Sequence, residues 1–256
     1  MKIAISGKGG VGKSTIAAAA ARYLSAQGHS VLALDADPDA NLASALGIPN
    51  SEQQSITPIS KQVGLIEERT NTSNGEYGKL FKLNPDVSDI AEKLGYTRNG
   101  ISLIVLGAVQ NGGGGCACPE STFIKTLVTD LVLYKKQSLI MDMEAGVEHL
   151  GRSTAMGVDA MLIVMEPGKR SIDCAQSVLR LGGEIGIKKY LLIGNKITSK
   201  ADEDYLTSAF PDRTFTAMIP YSEKIRTADR DGVSVYDILD SELTPYFENL
   251  FNALNA

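Results

Sequence analysis

Gly7, Gly12, Lys13 and Ser14 are the residues whose spacing most directly specifies chemistry in this chain. They belong to Gly7-Lys8-Gly9-Gly10-Val11-Gly12-Lys13-Ser14-Thr15, which follows the apolar Ile3-Ala4-Ile5 and precedes the alanine-rich Ile16–Leu24. The segment therefore reads as a turn from a strand into a helix. Glycines let the backbone curl until successive N–H groups, here those of Gly9 to Thr15, point at phosphate oxygens. A helix starting near Lys13 adds the positive end of its dipole. In the P-loop pattern G-x-x-x-x-G-K-[ST], the lysine reaches the β- and γ-phosphates and the hydroxyl ligates Mg²⁺. Lys13 and Ser14 occupy those positions, and the pattern predicts a nucleoside triphosphate site.

Carboxylates follow at the ends of two further apolar runs. Leu34-Asp35-Ala36-Asp37-Pro38-Asp39-Ala40-Asn41 closes the second run, and the C-terminal ends of parallel strands line the ligand crevice of open α/β sheets. Leu139-Ile140-Met141 ends in Asp142, the geometry of a Walker B strand that holds Mg²⁺, usually through water. Ser14, Asp37 and Asp142 are the expected Mg²⁺ residues. Asp35 and Asp39 either reach the metal through water or cap a short helix after Asn41.

Gly112-Gly113-Gly114-Gly115-Cys116-Ala117-Cys118-Pro119 carries a different chemistry. Thiols two residues apart are too strained to close a disulfide. Two thiolates also fall short of the four ligands of a structural metal site. A two-fold dimer removes the shortfall, because each subunit supplies Cys116 and Cys118. Soft sulfur suits Zn²⁺, Ni²⁺, Cu⁺ or an iron–sulfur cluster. Cys174 lies in an amphipathic stretch and reads as core; the lone His149 reads as structural before it reads as a ligand.

The elements that must position these residues alternate along the whole chain. Strands are expected near Ile3–Ser6, Val31–Leu34, Ile101–Leu106, Leu139–Met143, Met161–Met165, Leu191–Gly194 and Phe215–Ile219. Helices are expected over Ser14–Ala26, Ser121–Tyr134, Ser171–Gly183, Ala201–Ala209 and Thr244–Leu254, with Gly28 and Gly186 at C-caps. That order predicts an α/β fold, a mostly parallel twisted sheet of about seven strands flanked by helices. Residues 1–256 read as a single domain with an irregular insertion at about 49–100, in which a helix is expected around Ser60–Glu68. Of 256 residues 43% are apolar and 21% charged, with a net charge of −5. An acidic balance without basic runs argues against nucleic acid and anionic membrane as partners. No apolar stretch approaches the roughly 18–20 residues of a membrane span. Three cysteines do not make a disulfide framework, so a reduced, cytoplasmic protein is expected.

With Lys8 behind the first glycine, the P-loop resembles the deviant P-loop of the MinD/ParA/nitrogenase-iron-protein class. The resemblance implies that Lys8 contacts nucleotide across a homodimer interface. It implies that Asp37, before Pro38 and with Asn41, positions the attacking water as in switch I. Lys8, Lys13 and Asp37 are thus the expected catalytic residues. Met143-Glu144-Ala145-Gly146-Val147-Glu148-His149-Leu150 resembles switch II, whose glycine, Gly146 here, reports the γ-phosphate; the class often has proline where Glu144 stands. Asn195 with Lys196, and Pro220-Tyr221, resemble the adenine pocket, and Pro167 with Ser171 a strand-end turn of the class. ATP is favoured over GTP because Thr198 follows Ile197, which breaks the guanine-reading pattern.

Deviant P-loop, Asp-Pro switch I, this switch II and Cys-x-Cys together are similar to the CooC-type nickel-insertion ATPases. The resemblance spans nearly the whole chain. It implies an ATP-dependent homodimer that holds Ni²⁺ or Zn²⁺ through Cys116 and Cys118 and serves carbon monoxide dehydrogenase or acetyl-CoA synthase. Two other members of the class remain as alternatives. A MinD- or ParA-like positioning ATPase wants a basic amphipathic tail or a basic surface. Here Tyr246, Phe247, Leu250, Phe251 and Leu254 share one face with no Lys or Arg after Thr244, which favours core packing. An iron–sulfur carrier wants a switch II cysteine, and none stands between Cys118 and Cys174.

Overall fold

The computed structural model describes residues 1–72, 81–108, 119–147 and 150–255. Its strands are β1 (Lys2–Ser6), β2 (Val31–Ala36), β3 (Tyr96–Arg98), β4 (Ile101–Val105), β5 (Ser138–Met143), β6 (Ala160–Met165), β7 (Tyr190–Ile197) and β8 (Phe215–Pro220). They form one sheet in the order β3-β4-β2-β5-β1-β6-β7-β8. Every pairing is parallel except β3 with β4. The inner strands β2, β5 and β6 are buried at every residue. That is why they read as continuous apolar runs rather than alternating ones.

The sheet has eight strands where the apolar runs suggested about seven. The added strand, β3, is three residues long and is joined to β4 by Asn99-Gly100, at φ 50° and 74°. This is the two-residue hairpin loop that Asn-Gly favours, because both positions need positive φ. The cue was therefore present, but Tyr-Thr-Arg is too short and polar to register as a strand.

Helices fill the connections. They are α1 (Lys13–Ala26), α2 (Leu42–Ala45), α3 (Asn50–Gln53), α4 (Val63–Thr70), α5 (Ile90–Leu94) and α6 (Pro119–Leu133). After β5 come α7 (Arg152–Ala155), α8 (Lys169–Ile185), α9 (Lys200–Ala209), α10 (Glu223–Asp231) and α11 (Thr244–Leu254). The helix expected around Ser60–Glu68 is instead a 3-10 turn, Ile59–Lys61, followed by α4. Helix α10 was not anticipated; its residues are almost all polar, and only Ala228 is buried. Gly186 ends α8 in the left-handed conformation, as a C-cap glycine should.

Side chains alternate across the sheet and divide the core in two. Ile3 and Ile5 face α1, α2 and α11, whereas Ala4 faces the layer that holds α4, α6 and α8. Ala17 to Ala21 are all fully buried. Their small side chains let α1 lie close on the strands while α2 and α11 cover it. Cys174 is half-buried against the core. Among the described residues, no helix is long and apolar enough to cross a membrane.

The amphipathic face of α11 is core: Phe247, Leu250, Phe251 and Leu254 are buried, and Phe251 stacks on Tyr23 with ring centroids 4.3 Å apart. Tyr246 departs from that expectation, with 42% of its surface exposed. Phe247→Ala should therefore cost about 3–5 kcal/mol, and Tyr246→Ala under about 1 kcal/mol. Urea denaturation of both variants measures the contrast, and equal losses would contradict this packing.

Candidate nucleotide-binding site

The central strand β1 delivers Gly7 to the C-terminal edge of the sheet, where the chain must turn sharply into α1. Gly7 has φ 150°, and a Cβ there would sit 2.2 Å from the Val164 carbonyl oxygen of β6. Gly12 has φ 99°, and its Cβ would sit 2.4 Å from Asn195 Nδ2. At Gly7 the backbone blocks any side chain, and at Gly12 the positive φ strains one and Asn195 would have to move. Helix α1 starts at Lys13 with no side chain capping it, which leaves its first-turn N–H groups available to an anion.

The loop's carbonyls are held by the end of β7. Asn195 Nδ2 donates to the Val11 carbonyl at 2.8 Å, and Lys196 Nζ donates to the Gly10 carbonyl at 2.6 Å. Lys196 adopts φ 58° and also lies 3.7 Å from Glu166. Because carbonyls and N–H groups of a tight loop point in opposite directions, tying down the carbonyls leaves the N–H groups facing the cleft.

That cleft has a volume of about 740 Å³. Gly9, Gly10, Gly12, Lys13, Ser14 and Thr15 form its floor, Asp37, Asp39 and Asn41 one wall, and Asn195, Lys196, Pro220 and Tyr221 the other. Val11, Gly146, Asp142 and Lys8 are not among the lining residues. Val11 is buried and holds the loop through its carbonyl. Lys8 is half-buried and makes no ion pair among the described residues. Tyr221 donates its hydroxyl proton to Glu223 at 2.7 Å.

Register sets the carboxylates. Asp142 pairs with Ile5 across β1–β5 and with Asp35 across β2–β5, so two acids share the ground beneath the loop. Asp35 accepts from the N–H groups of Leu42 at 2.9 Å and Asp37 at 3.3 Å. Through these bonds Asp35 ties the β2–α2 loop. Burial, then the charge of Asp142, push its pKa up to about 7, against the pull of those N–H groups. Asp37 Oδ2 lies 3.5 Å from Lys13 Nζ, so the P-loop cation and the loop carboxylate are in contact.

Asp142 is fully buried, and neither of its oxygens meets a hydrogen-bond partner. Burial raises its pKa to about 6, while the nearby Ser14 hydroxyl and Lys13 ammonium pull it down in part. A buried, partnerless carboxylate beside a hydroxyl is the oxygen donor set a hard divalent cation prefers. The residues present therefore fit Mg²⁺.

Gly146 follows β5 with φ 152°. Its N–H donates to Ser6 Oγ at 3.1 Å, and the Ser6 proton goes to the carbonyl of Gly146 at 2.9 Å or of Glu144 at 3.1 Å. Sequence reasoning missed Ser6, although its place directly before Gly7 at a strand end was visible. It also missed Ile225, Arg226 and Asp229 of α10, which line the far wall of the cleft. Cys116, Cys118, Glu148 and His149 lie outside the described residues.

Residues 2–235 match the CobQ/CobB/MinD/ParA nucleotide binding domain family. The chain is 44% identical over 238 residues to the carbon monoxide dehydrogenase accessory protein CooC of Rhodospirillum rubrum, covering 93% of this chain and 90% of that one. An uncharacterized ATP-binding protein of Methanocaldococcus jannaschii is 39% identical over 255 residues, 98% of this chain and 96% of its own. The fold is shared with the MinC:MinD cell division protein complex of Aquifex aeolicus, with a TM-score of 0.68 at 21% identity over 99% of this chain and 94% of that chain.

Two outcomes follow from the buried polar groups. Between about pH 4 and 7 native Asp35 keeps a proton that the unfolded chain has lost, so its contribution to stability falls as pH rises through that window. Asp35→Asn removes the term while keeping an acceptor for Leu42. Its stability relative to wild type, measured by denaturation in EDTA, should rise by about 1–4 kcal/mol from pH 5 to pH 8, and a pH-independent difference would contradict a buried charge. Ser6→Ala leaves the buried Gly146 N–H without its acceptor and should cost about 1–3 kcal/mol without nucleotide.

Proposed function

The chain belongs to the CobQ/CobB/MinD/ParA nucleotide-binding domain family, and from that membership we propose that it is an ATP-hydrolysing homodimer that inserts metal into an enzyme. The observation that carries the reading is the 44% identity to the carbon monoxide dehydrogenase accessory protein across nearly both chains. The client is accordingly a carbon monoxide dehydrogenase or the related acetyl-CoA synthase, and the cargo Ni²⁺ or Zn²⁺. The whole chain acts as one ATPase domain carrying the 49–100 segment, in a reducing cytoplasm that keeps its thiols available.

ATP enters the cleft with its phosphates on the N–H groups of Gly9 to Thr15. Lys13 exchanges its contact with Asp37 for the β- and γ-phosphates, which frees Asp37 to orient the attacking water. Ser14, Asp37 and Asp142 hold Mg²⁺, which supplies positive charge against the phosphate oxygens. Asn195 gives one N–H to Val11; its second N–H and its carbonyl oxygen remain for the adenine edge. Pro220 and Tyr221 flank the base beside Lys196. Gly146 leaves Ser6 when a γ-phosphate offers a better acceptor, and Lys8 reaches the nucleotide of the partner subunit, so that triphosphate favours the closed dimer.

Cys116 and Cys118 from each subunit give four thiolates to one metal ion. Coordination is steep in distance, so a rearrangement of the two subunits on hydrolysis tightens or releases the cargo. The burial of the apolar face of α11 supports this reading over a membrane-positioning ATPase, which would leave such a face for lipid.

Nickel and zinc binding, measured together with mass in solution with and without ATP, tests the proposal. Wild type should hold one metal ion per dimer, and Cys116→Ala/Cys118→Ala should hold none while still dimerising with ATP. Metal retained by the double variant would overturn the thiolate site.

A further inference from the structure

An exposed strip on α6 and α7 stands apart from the acidic surface of this chain. The two helices touch where Thr129 Oγ1 lies 3.1 Å from Thr154 Oγ1. Below that contact Leu133 closes on Gly157, where a Cβ would sit 2.5 Å from Leu133 Cδ2. At this lower end the apolar side chains of Leu133, Tyr134 and Met156 are 38%, 72% and 78% exposed. One turn above Thr129 on the same face of α6 is Lys125, and one turn above Met156 on α7 is Arg152. Both are exposed, and neither makes an ion pair among the described residues. The strip is thus basic at its upper end and apolar at its lower end, on a chain of net charge −5.

Both helices are also tethered to the functional segments. Helix α6 begins at Pro119, directly after Cys118, and α7 begins six residues beyond Gly146. The strip therefore lies on the two helices that follow the cysteine segment and the loop after β5 in the chain.

We propose that this α6–α7 strip docks the client enzyme through a client surface that sets acidic side chains beside apolar ones. The proposal rests on the metal-insertion reading above. Charge selects this occupant: an acidic surface complements Lys125 and Arg152, whereas two copies meeting through the strip about a two-fold axis would crowd like charges into one interface. Tyr134 and Met156 supply the desolvated contact area, and the two cations set orientation and on-rate.

The test uses purified nickel-free carbon monoxide dehydrogenase, with binding to the full chain measured in Mg-ATP. Two variants probe the strip, Lys125→Glu/Arg152→Glu for its charge and Tyr134→Ser/Met156→Ser for its apolar end. The proposal expects each to bind the dehydrogenase at least tenfold more weakly, with ATP affinity and dimer mass unchanged. It expects wild-type affinity, but not that of the charge-reversed variant, to fall steeply between 50 and 300 mM salt. Equal binding by wild type and both variants would overturn the strip and leave the client reading standing. Absence of binding by wild type that still binds ATP would remove both. Altered dimer mass in the variants would overturn the proposal in favour of a contact between copies. Wild-type binding to phosphatidylglycerol vesicles that both variants lose would overturn it in favour of a membrane.

Discussion

The hydrogen bond from Asn195 to the Val11 carbonyl is the contact on which the rest of the cleft depends. A loop that offers N–H groups to phosphate must dispose of its carbonyls elsewhere, because buried backbone acceptors need partners. Asn195 and Lys196, at the end of β7, meet that need from the wall of the cleft. Gly12 matches this arrangement: its φ of 99° favours glycine, and a Cβ there would displace the Asn195 amide from its place. The amide of one strand and the absence of a side chain in the loop before α1 are thus a single device, built from residues 183 positions apart in the chain.

On the other side of β1 the problem is charge rather than backbone. Asp35 and Asp142 stand side by side on adjacent strands with no cation between them, and burial raises the pKa of both. Buried carboxylates that lack compensation destabilise a fold, and they persist where a ligand supplies what the protein omits. Asp35 receives two backbone N–H groups and shapes the loop that carries Asp37. Asp142 receives none. The difference separates a carboxylate that organises its own loop from one whose oxygens await a cation.

Much of the fold was legible in the chain because inner parallel strands are buried on both faces and cannot hide in an alternating pattern. All seven apolar runs became strands, and Thr244–Leu254 is a helix at those same ends. The P-loop and both carboxylate strands could be found for a related reason: their chemistry demands particular residue types at short spacing. What escaped notice lacked that signature. Strand β3 is short and polar, and α10 buries one residue. Ser6 is an ordinary serine until the loop after β5 folds back onto it.

The order of residues along the chain is enough to specify the class of chemistry and the succession of elements, since Gly7-x₄-Gly12-Lys13-Ser14 and the strand-end acids act through local geometry. How those residues are divided between the cleft and its supports follows from the way the strands assemble. Gly9, Gly10, Gly12 to Thr15, Asp37, Asn195 and Tyr221 line one cavity, whereas Val11 and Gly146 are held behind it by Asn195 and Ser6. Strand order sets that division. Inserting β5 between β1 and β2 brings Asp142 beside Asp35, and placing β6 and β7 on the other flank brings Asn195 onto the loop. No spacing along the chain encodes either neighbour.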